Sequence, residues 1–191
     1  YEHPQSTDHS GFVLPYGDSP MDREQVGERV YLDILNQARS YVHIMTPYLI
    51  LDDEMVNALS YAAKRGIDVK LIMPHIPDKK YAYMLARTFY PELTRAGVKI
   101  YEYTPGFVHA KVFVSDDEKA VVGTINLDFR SLYHHFECAA FMYKNQVVGD
   151  IENDFQSTLE KCRRIGPEEI FHAPLWKKLA GTILKLIAPM M

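Results

Sequence analysis

Cysteine is scarce: Cys138 and Cys162 are the only two among 191 residues. Two thiols without metal-ligand spacing exclude a disulfide framework and a cysteine-built zinc site, and they fit a reducing compartment with both thiols free. No apolar run reaches the roughly 20 residues of a spanning helix, because Lys185 interrupts even the greasy C-terminal stretch. Basic excess is missing as well. Twenty-one Lys and Arg against 25 Asp and Glu leave a net charge of −4, which argues against a broad cationic footprint for nucleic acid and leaves room only for a local basic patch. No linker rich in Gly, Ser or Pro, no repeat and no low-complexity tract divides the chain, so residues 1–191 are expected to form one domain. What is present, 47% hydrophobic and 24% charged residues, is an ordinary globular composition able to bury one sizeable core. The chain opens at Tyr1 without an initiator Met or signal-like segment and is read as a piece of something longer.

Apolar spacing divides the chain into alternating elements. A polar lead-in over Tyr1–Ser10 precedes a short strand at Gly11–Pro15, and the recurrence of Val26, Val30, Ile34, Leu35 and Ala38 marks a helix within Met21–Ala38. Tyr41–Thr46 reads as a strand halted by Pro47. Asp52 or Asp53 caps a helix carrying Met55, Val56, Leu59 and Ala62 and ending at Gly66. Ile67–Met73 is a buried-looking strand, Lys79–Ala96 a helix closed by Gly97, and Val98–Tyr103 a further strand. Consecutive strands then follow at Val108–Ser115, Ala120–Thr124 and Phe136–Tyr143, before a helix from Gln146 to Cys162. Strands alternating with helices of a dozen residues predict an α/β domain: a mixed, largely parallel sheet flanked by helices on both faces, with a hairpin added.

The chemistry concentrates in His109-Ala110-Lys111-Val112-Phe113-Val114-Ser115-Asp116, an H-x-K-x4-D run, followed by Gly123-Thr124-Ile125-Asn126. Side chains alternate along a strand, so His109 and Lys111 share one face while Ala110, Val112 and Val114 take the other. Asp116 has the parity of the valines and is expected to hold the turn by accepting backbone N–H groups. Gly123 permits close approach of a ligand, and Thr124 and Asn126, again two apart, supply neutral donors. A lysine, a hydroxyl and an amide around an imidazole make a phosphate site. The H-x-K-x4-D run alone is expected by chance in roughly one chain of this length in a hundred, and the G-[ST]-x-N that follows lowers that by orders of magnitude.

With these residues the sequence resembles the phospholipase D superfamily, and within it the C-terminal half of bacterial cardiolipin synthases. The runs Asn126-Leu127-Asp128-Phe129-Arg130-Ser131, His135-Phe136-Glu137, Thr46-Pro47-Tyr48 and Pro105-Gly106-Phe107 carry the resemblance further, over nearly the whole chain from about Gly11. The signature and the resemblance together give a catalytic set of His109, Lys111, Asp116 and Glu137, with Glu137 orienting the catalytic imidazole, and a phosphate-binding set of Lys111, Thr124 and Asn126. Thr124 stands where Ser is common and keeps the hydroxyl. The resemblance implies phosphatidyl transfer between two phosphatidylglycerol molecules through a phosphohistidine, with no metal and no cofactor. It implies an anionic phospholipid surface as partner, no nucleic acid, and a place on the cytoplasmic side of the cell membrane for the full-length parent, the fragment itself being soluble.

Enzymes of that family use two such signatures and this chain has one. In-line displacement at phosphorus puts the attacking and leaving groups on opposite sides, so one imidazole attacks while another protonates the departing alkoxide. The second set is expected from the N-terminal half of the same enzyme or from a second copy by two-fold pairing, with His109 as general acid/base beside a nucleophilic His of that other half. Two rival readings are a homodimeric phosphodiesterase or nuclease, and a catalytically inert half that serves as an interaction module. His134 and His135 point to opposite faces and make a poor chelate. His75, Lys79 and Lys80 either meet an anionic headgroup or are solvated beside an Asp78 helix cap. Arg130 either joins the phosphate site or, the preferred reading, pairs with Asp128 or Glu137 as a brace. The stretch 168–191, with Trp176 and three lysines between Leu175 and Ile187, is read as an amphipathic C-terminal helix that lies in a lipid interface or packs on the other half.

Overall fold

In the computed structural model, which describes residues 10–22 and 24–171, the first half of the chain runs β1 (Phe12–Asp18), α1 (Val26–Gln37), β2 (Tyr41–Met45), β3 (Leu49–Ile50), α2 (Asp53–Lys64), β4 (Asp68–Pro74), α3 (Lys80–Ala96) and β5 (Lys99–Tyr103). The second half runs β6 (Val112–Ser115), β7 (Lys119–Gly123), β8 (Leu127–Asp128), a π-helical turn over Arg130–His134, β9 (Glu137–Tyr143), α4 (Val147–Leu159), β10 (Cys162–Arg164) and α5 (Pro167–Phe171). The expected lead-in over 1–9 and the C-terminal stretch from 172 onward lie outside the described residues.

Local chemistry sets most of the boundaries. Asp52 caps α2 by accepting the N–H of Met55 at 2.8 Å, which satisfies one of the donors a helix start leaves open. Gly97 closes α3 in the left-handed region at φ 108°, where a Cβ would be strained. α1 starts at Val26 and not at Met21. Asp78 does not cap α3: Lys79 holds that place without a side-chain cap, and the Asp78 carboxylate instead accepts the Tyr48 hydroxyl. The closing helix ends at Leu159, and Cys162 opens an edge strand instead.

Eight strands form one mixed sheet in the order β1-β9-β7-β6-β2-β4-β5-β10, while β3 and β8 pair separately in parallel. Helices lie on both faces. α1, α2 and α3 bury Tyr31, Ile34, Leu59, Leu85 and Phe89 against one side, and α4 packs Val148 and Phe155 on the other. Tyr31 stacks on Phe113 at 3.9 Å between ring centroids and ties α1 to β6. The predicted balance of the sheet needs correction: parallel pairing is confined to β2–β4–β5, and β1–β9, β9–β7, β7–β6, β6–β2 and β5–β10 are antiparallel. The hairpin inserts beside β2 and extends the sheet outward. This topology brings the C-terminal ends of β2 and β7 to the same rim as the N-terminal ends of β6 and β9.

Candidate active site

The rim so formed carries the signature residues. Gly123 N–H donates to the Lys111 carbonyl at 3.3 Å, one step beyond the last β6–β7 pair, Val112↔Val122. Lys111 is therefore held by the ladder, and His109 projects past its end. The predicted shared face is observed: Lys111 Nζ lies 2.9 Å from His109 Nε2 and donates to the His109 carbonyl at 2.8 Å. An ammonium has only donors, so the Nε2 facing it presents its lone pair. Phe107 stacks on the exposed imidazole at 5.6 Å. Lys111 is buried, and its pKa is lowered from 10.5, first by burial, against the opposing fields of Glu137 and Asp128.

On the neighbouring strands the Thr124 hydroxyl donates to Oε2 of Glu137 and accepts the Cys138 N–H at 3.0 Å. Glu137 makes no hydrogen bond to His109. Its second carboxylate oxygen faces Nδ1 of His135 at 3.9 Å. Asn126 Nδ2 contacts Ser131 Oγ at 2.9 Å, while Asn126 Oδ1 is buried without a partner. Gly123 has a different use from the one expected. A Cβ there would stand 2.4 Å from Ala139 Cβ and from the Cys138 carbonyl, so the glycine serves the close approach of β9 and not of a ligand.

Asp116 stands at the opposite end of β6, roughly 20 Å from His109 at the rise of an extended chain. Both its carboxylate oxygens are engaged by the N–H groups of Arg39 at 2.8 Å, Ser40 at 2.8 Å and Tyr41 at 3.0 Å. The acid of the signature thus holds backbone, as its parity foretold, but the backbone leading into β2 and not its own turn. It stands apart from His109, Lys111, Thr124 and Asn126.

Other candidates resolve into structure. His75 donates its Nδ1–H at 2.8 Å to Glu102, a fully buried carboxylate that also receives Tyr83, Arg87 and Arg163. Lys79 lies over the Tyr48 ring at 5.4 Å. Arg130 is exposed and pairs with neither Asp128 nor Glu137, so the expected brace is not made. Among the described residues no cluster of His, Cys, Asp or Glu has the makings of a metal site, Cys138 and Cys162 are free thiols, and no helix is long and apolar enough to cross a membrane. Thr46 and Asp128 take bracing parts that the sequence does not assign them: the Thr46 hydroxyl receives the Leu127 N–H at 3.3 Å, and Asp128 receives the Ser131 N–H at 2.7 Å. An Asp whose short side chain accepts a backbone N–H a few residues on is a usual way to hold such a turn. An open trough of about 600 Å³ runs from Thr124 along Pro15, Gly17, Val122, Cys138 and Ala140.

This fold is that of the phospholipase D family. Nuc from Salmonella typhimurium, a member of that family, superposes with a TM-score of 0.68 at 17% identity, over 81% of this chain and 97% of that one. A phosphatidylserine synthase from Haemophilus influenzae gives 0.70 at 18% identity, over 94% of this chain and 48% of that one. The family model described as cardiolipin synthase, PLD-like domain, matches residues 31–159, and the chain belongs to that family. It is 36% identical over 184 residues to cardiolipin synthase 2 of Bacillus cereus, covering 96% of this chain and 36% of that protein. It is 61% identical over 182 residues to an uncharacterized protein of Streptococcus mutans, covering 95% of this chain and 40% of that one. The chain therefore spans well under half the length of these relatives.

Proposed function

We propose that this chain supplies one of the two phosphate-handling halves of a cardiolipin synthase, in which a phosphatidyl group passes from one phosphatidylglycerol to the hydroxyl of another and glycerol leaves. The observation that carries this reading is the pairing of His109 Nε2 with Lys111 Nζ at 2.9 Å on the rim that also bears Thr124 and Asn126. An imidazole lone pair beside an ammonium is suited to a phosphodiester: the cation draws in and neutralises the phosphoryl oxygens, and the ring handles a proton or bonds phosphorus.

The reaction needs two imidazoles. A nucleophilic His bonds phosphorus as the phosphorus–glycerol oxygen bond breaks, and the opposite imidazole gives that oxygen its proton. The acceptor hydroxyl then returns the proton to the second imidazole as its oxygen bonds phosphorus and the phosphorus–nitrogen bond breaks. His109 is assigned the acid/base part, and the nucleophile belongs to the additional length that the relatives possess. The trough beside Thr124 is open and mostly apolar in its lining, which suits the seating of that second half. The substrate being a lipid, the reaction takes place at the cytoplasmic membrane surface.

One observation favours a second source for the other imidazole. The match to Nuc covers 97% of that chain, so a protein of about this size carries the fold, and a second copy of this chain is the alternative partner. Sizing the purified chain separates the two, and chromatography of lipids after incubation with phosphatidylglycerol reports cardiolipin, phosphatidic acid or no product. In the full-length enzyme, His109→Ala is expected to abolish cardiolipin formation. Undiminished synthesis overturns the assignment, recovery of labelled phosphate on His109 reverses its role from acid/base to nucleophile, and plasmid cleavage by the chain favours a nuclease.

A further inference from the structure

Asn126 has one protein partner for an amide with two polar ends. Its Nδ2 contacts Ser131 Oγ at 2.9 Å, and its Oδ1 is buried with none. In this orientation a second group is also unsatisfied: the Ser131 hydroxyl proton has no acceptor among the described residues, and Ser131 is 2% exposed. Buried acceptors and donors without partners are disfavoured. The oxygen and nitrogen of an amide are equal in shape, and a half-turn about χ2 exchanges them. After that half-turn the Ser131 hydroxyl donates to Oδ1, both of those groups are satisfied, and the only end left over is Nδ2, a donor. An anion satisfies a donor and repels an acceptor.

We propose that Ser131 is a positioning residue that donates its hydroxyl to Asn126 Oδ1 and thereby presents Nδ2 to a phosphoryl oxygen. The inference rests on the reading of Asn126 as a phosphate ligand. The setting of Ser131 supports it. Its own N–H is bound by Asp128 at 2.7 Å, and two residues on, the Tyr133 hydroxyl is held by Glu28 and Asp52. The π-helical turn is therefore pinned at both ends, and such turns recur where a side chain must be aimed. Neither anchor uses the Ser131 side chain, so the hydroxyl can be removed while the turn stays in place.

The test uses the chain as it stands, labelled with 15N at asparagine, and inorganic phosphate as the probe. In the wild type, phosphate is expected to move the Asn126 side-chain NH2 pair. Ser131→Ala is expected to raise the apparent Kd for phosphate about tenfold and to remove most of that movement. Ser131→Cys, close in volume and a weak donor, is expected to behave like Ser131→Ala and serves in its place if the alanine variant does not fold. Phosphate binding by both Ser131 variants within twofold of wild type, with Asn126→Ala impaired, overturns the positioning role alone. Wild-type phosphate binding that leaves the Asn126 amide unmoved, or an Asn126→Ala variant that binds as well as wild type, overturns the phosphate site and the inference with it.

Discussion

The ammonium of Lys111 and Nε2 of His109 stand 2.9 Å apart at the end of β6, with the lysine buried and the imidazole exposed. Burial lowers the Lys111 pKa from 10.5 because it disfavours the charged form, and the carboxylates of Glu137 and Asp128 offset part of that effect. Two pH dependences of opposite sign follow. The folded chain holds the Lys111 proton less tightly than the unfolded chain does, so this group's contribution to stability rises with pH across the window between the lowered value and 10.5. Anion binding needs the charge and falls as pH climbs through the lowered value. Lys111→Met is expected to weaken phosphate binding by about ten- to a hundredfold, the worth of one charged hydrogen bond, and to flatten its decline at alkaline pH. Isothermal titration with phosphate from pH 8.5 to 10.5, where the probe stays a dianion, checks both; a wild-type affinity that rises with pH across that range contradicts the account.

Asp116 gives a prediction of the opposite kind, stability without binding. Burial pushes its pKa up, but the N–H groups of Tyr41, Arg39 and Ser40 together outweigh burial and leave it below 3.8. An acid held below its unfolded value stabilises the fold above that value and loses the contribution as pH falls through the folded one. Asp116→Asn keeps the shape and loses the charge, and it is expected to cost about 1–2 kcal/mol at pH 7, a fall in Tm of several degrees for a domain of this size. The gap to wild type should narrow as pH falls below 3.8 and through the lowered folded value. Phosphate affinity should stay within twofold, because His109 lies at the far end of the strand, and a large loss of affinity with an unchanged Tm would return Asp116 to the site.

What was legible in the sequence follows the range of the forces involved. Period-2 alternation placed His109 and Lys111 on one face and Val112 and Val114 on the other, because side-chain direction in a strand is a local property. Asp52 and Gly97 marked helix ends for the same reason. The antiparallel insertion of β6 beside β2 was not legible, since which sheet edge receives a hairpin is decided by long-range packing. β10, with only Cys162, Arg163 and Arg164, offers no apolar pattern at all; it is recruited by pairing with Tyr101–Tyr103 and by Arg163 reaching Glu102. At Gly123 the sequence shows a place without a side chain but not what approaches it: the expected ligand is replaced by the backbone of β9.

Glu102 is the hub that fixes this last edge. It is fully buried on β5, with Arg163 at 2.7 Å, His75 at 2.8 Å and Tyr83 at 2.7 Å, while Arg87 and Arg163 both also reach Glu169. Two carboxylates and two guanidiniums are balanced; removal of Glu102 leaves like charges facing each other. Glu102→Ala is expected to cost about 3–5 kcal/mol, the usual penalty for breaking a buried ion pair. Glu169→Ala, at a partly exposed site, should cost under about 1 kcal/mol. Urea unfolding of both variants tests this, and equal losses would mean that Glu102 is not the centre of the network.

The hydroxyl of Tyr133 touches the carboxylates of both Glu28 and Asp52. One phenolic proton cannot serve two carboxylates, so the arrangement calls for a further proton on the acid pair, and Glu28 is the better holder. Burial raises its pKa from 4.5 to about 7, with Asp52 and Glu54 adding negative field against the lowering hydrogen bond of Tyr133. For an acid whose folded value lies above its unfolded one, the folded state binds the extra proton across that interval. Stability from this group is therefore complete below about 4.5, declines as pH rises toward about 7 and is level beyond. Glu28→Gln fixes the neutral form: its amide donates to the Tyr133 oxygen while Tyr133 donates to Asp52. The variant is expected to match wild type at pH 5 and to melt a few degrees higher at pH 8, whereas Tyr133→Phe, which leaves the two acids without a bridge, should lose more stability at pH 8 than at pH 5. Thermal melts followed by circular dichroism at both pH values decide it, and parallel pH profiles for wild type and Glu28→Gln would show that the extra proton is not there.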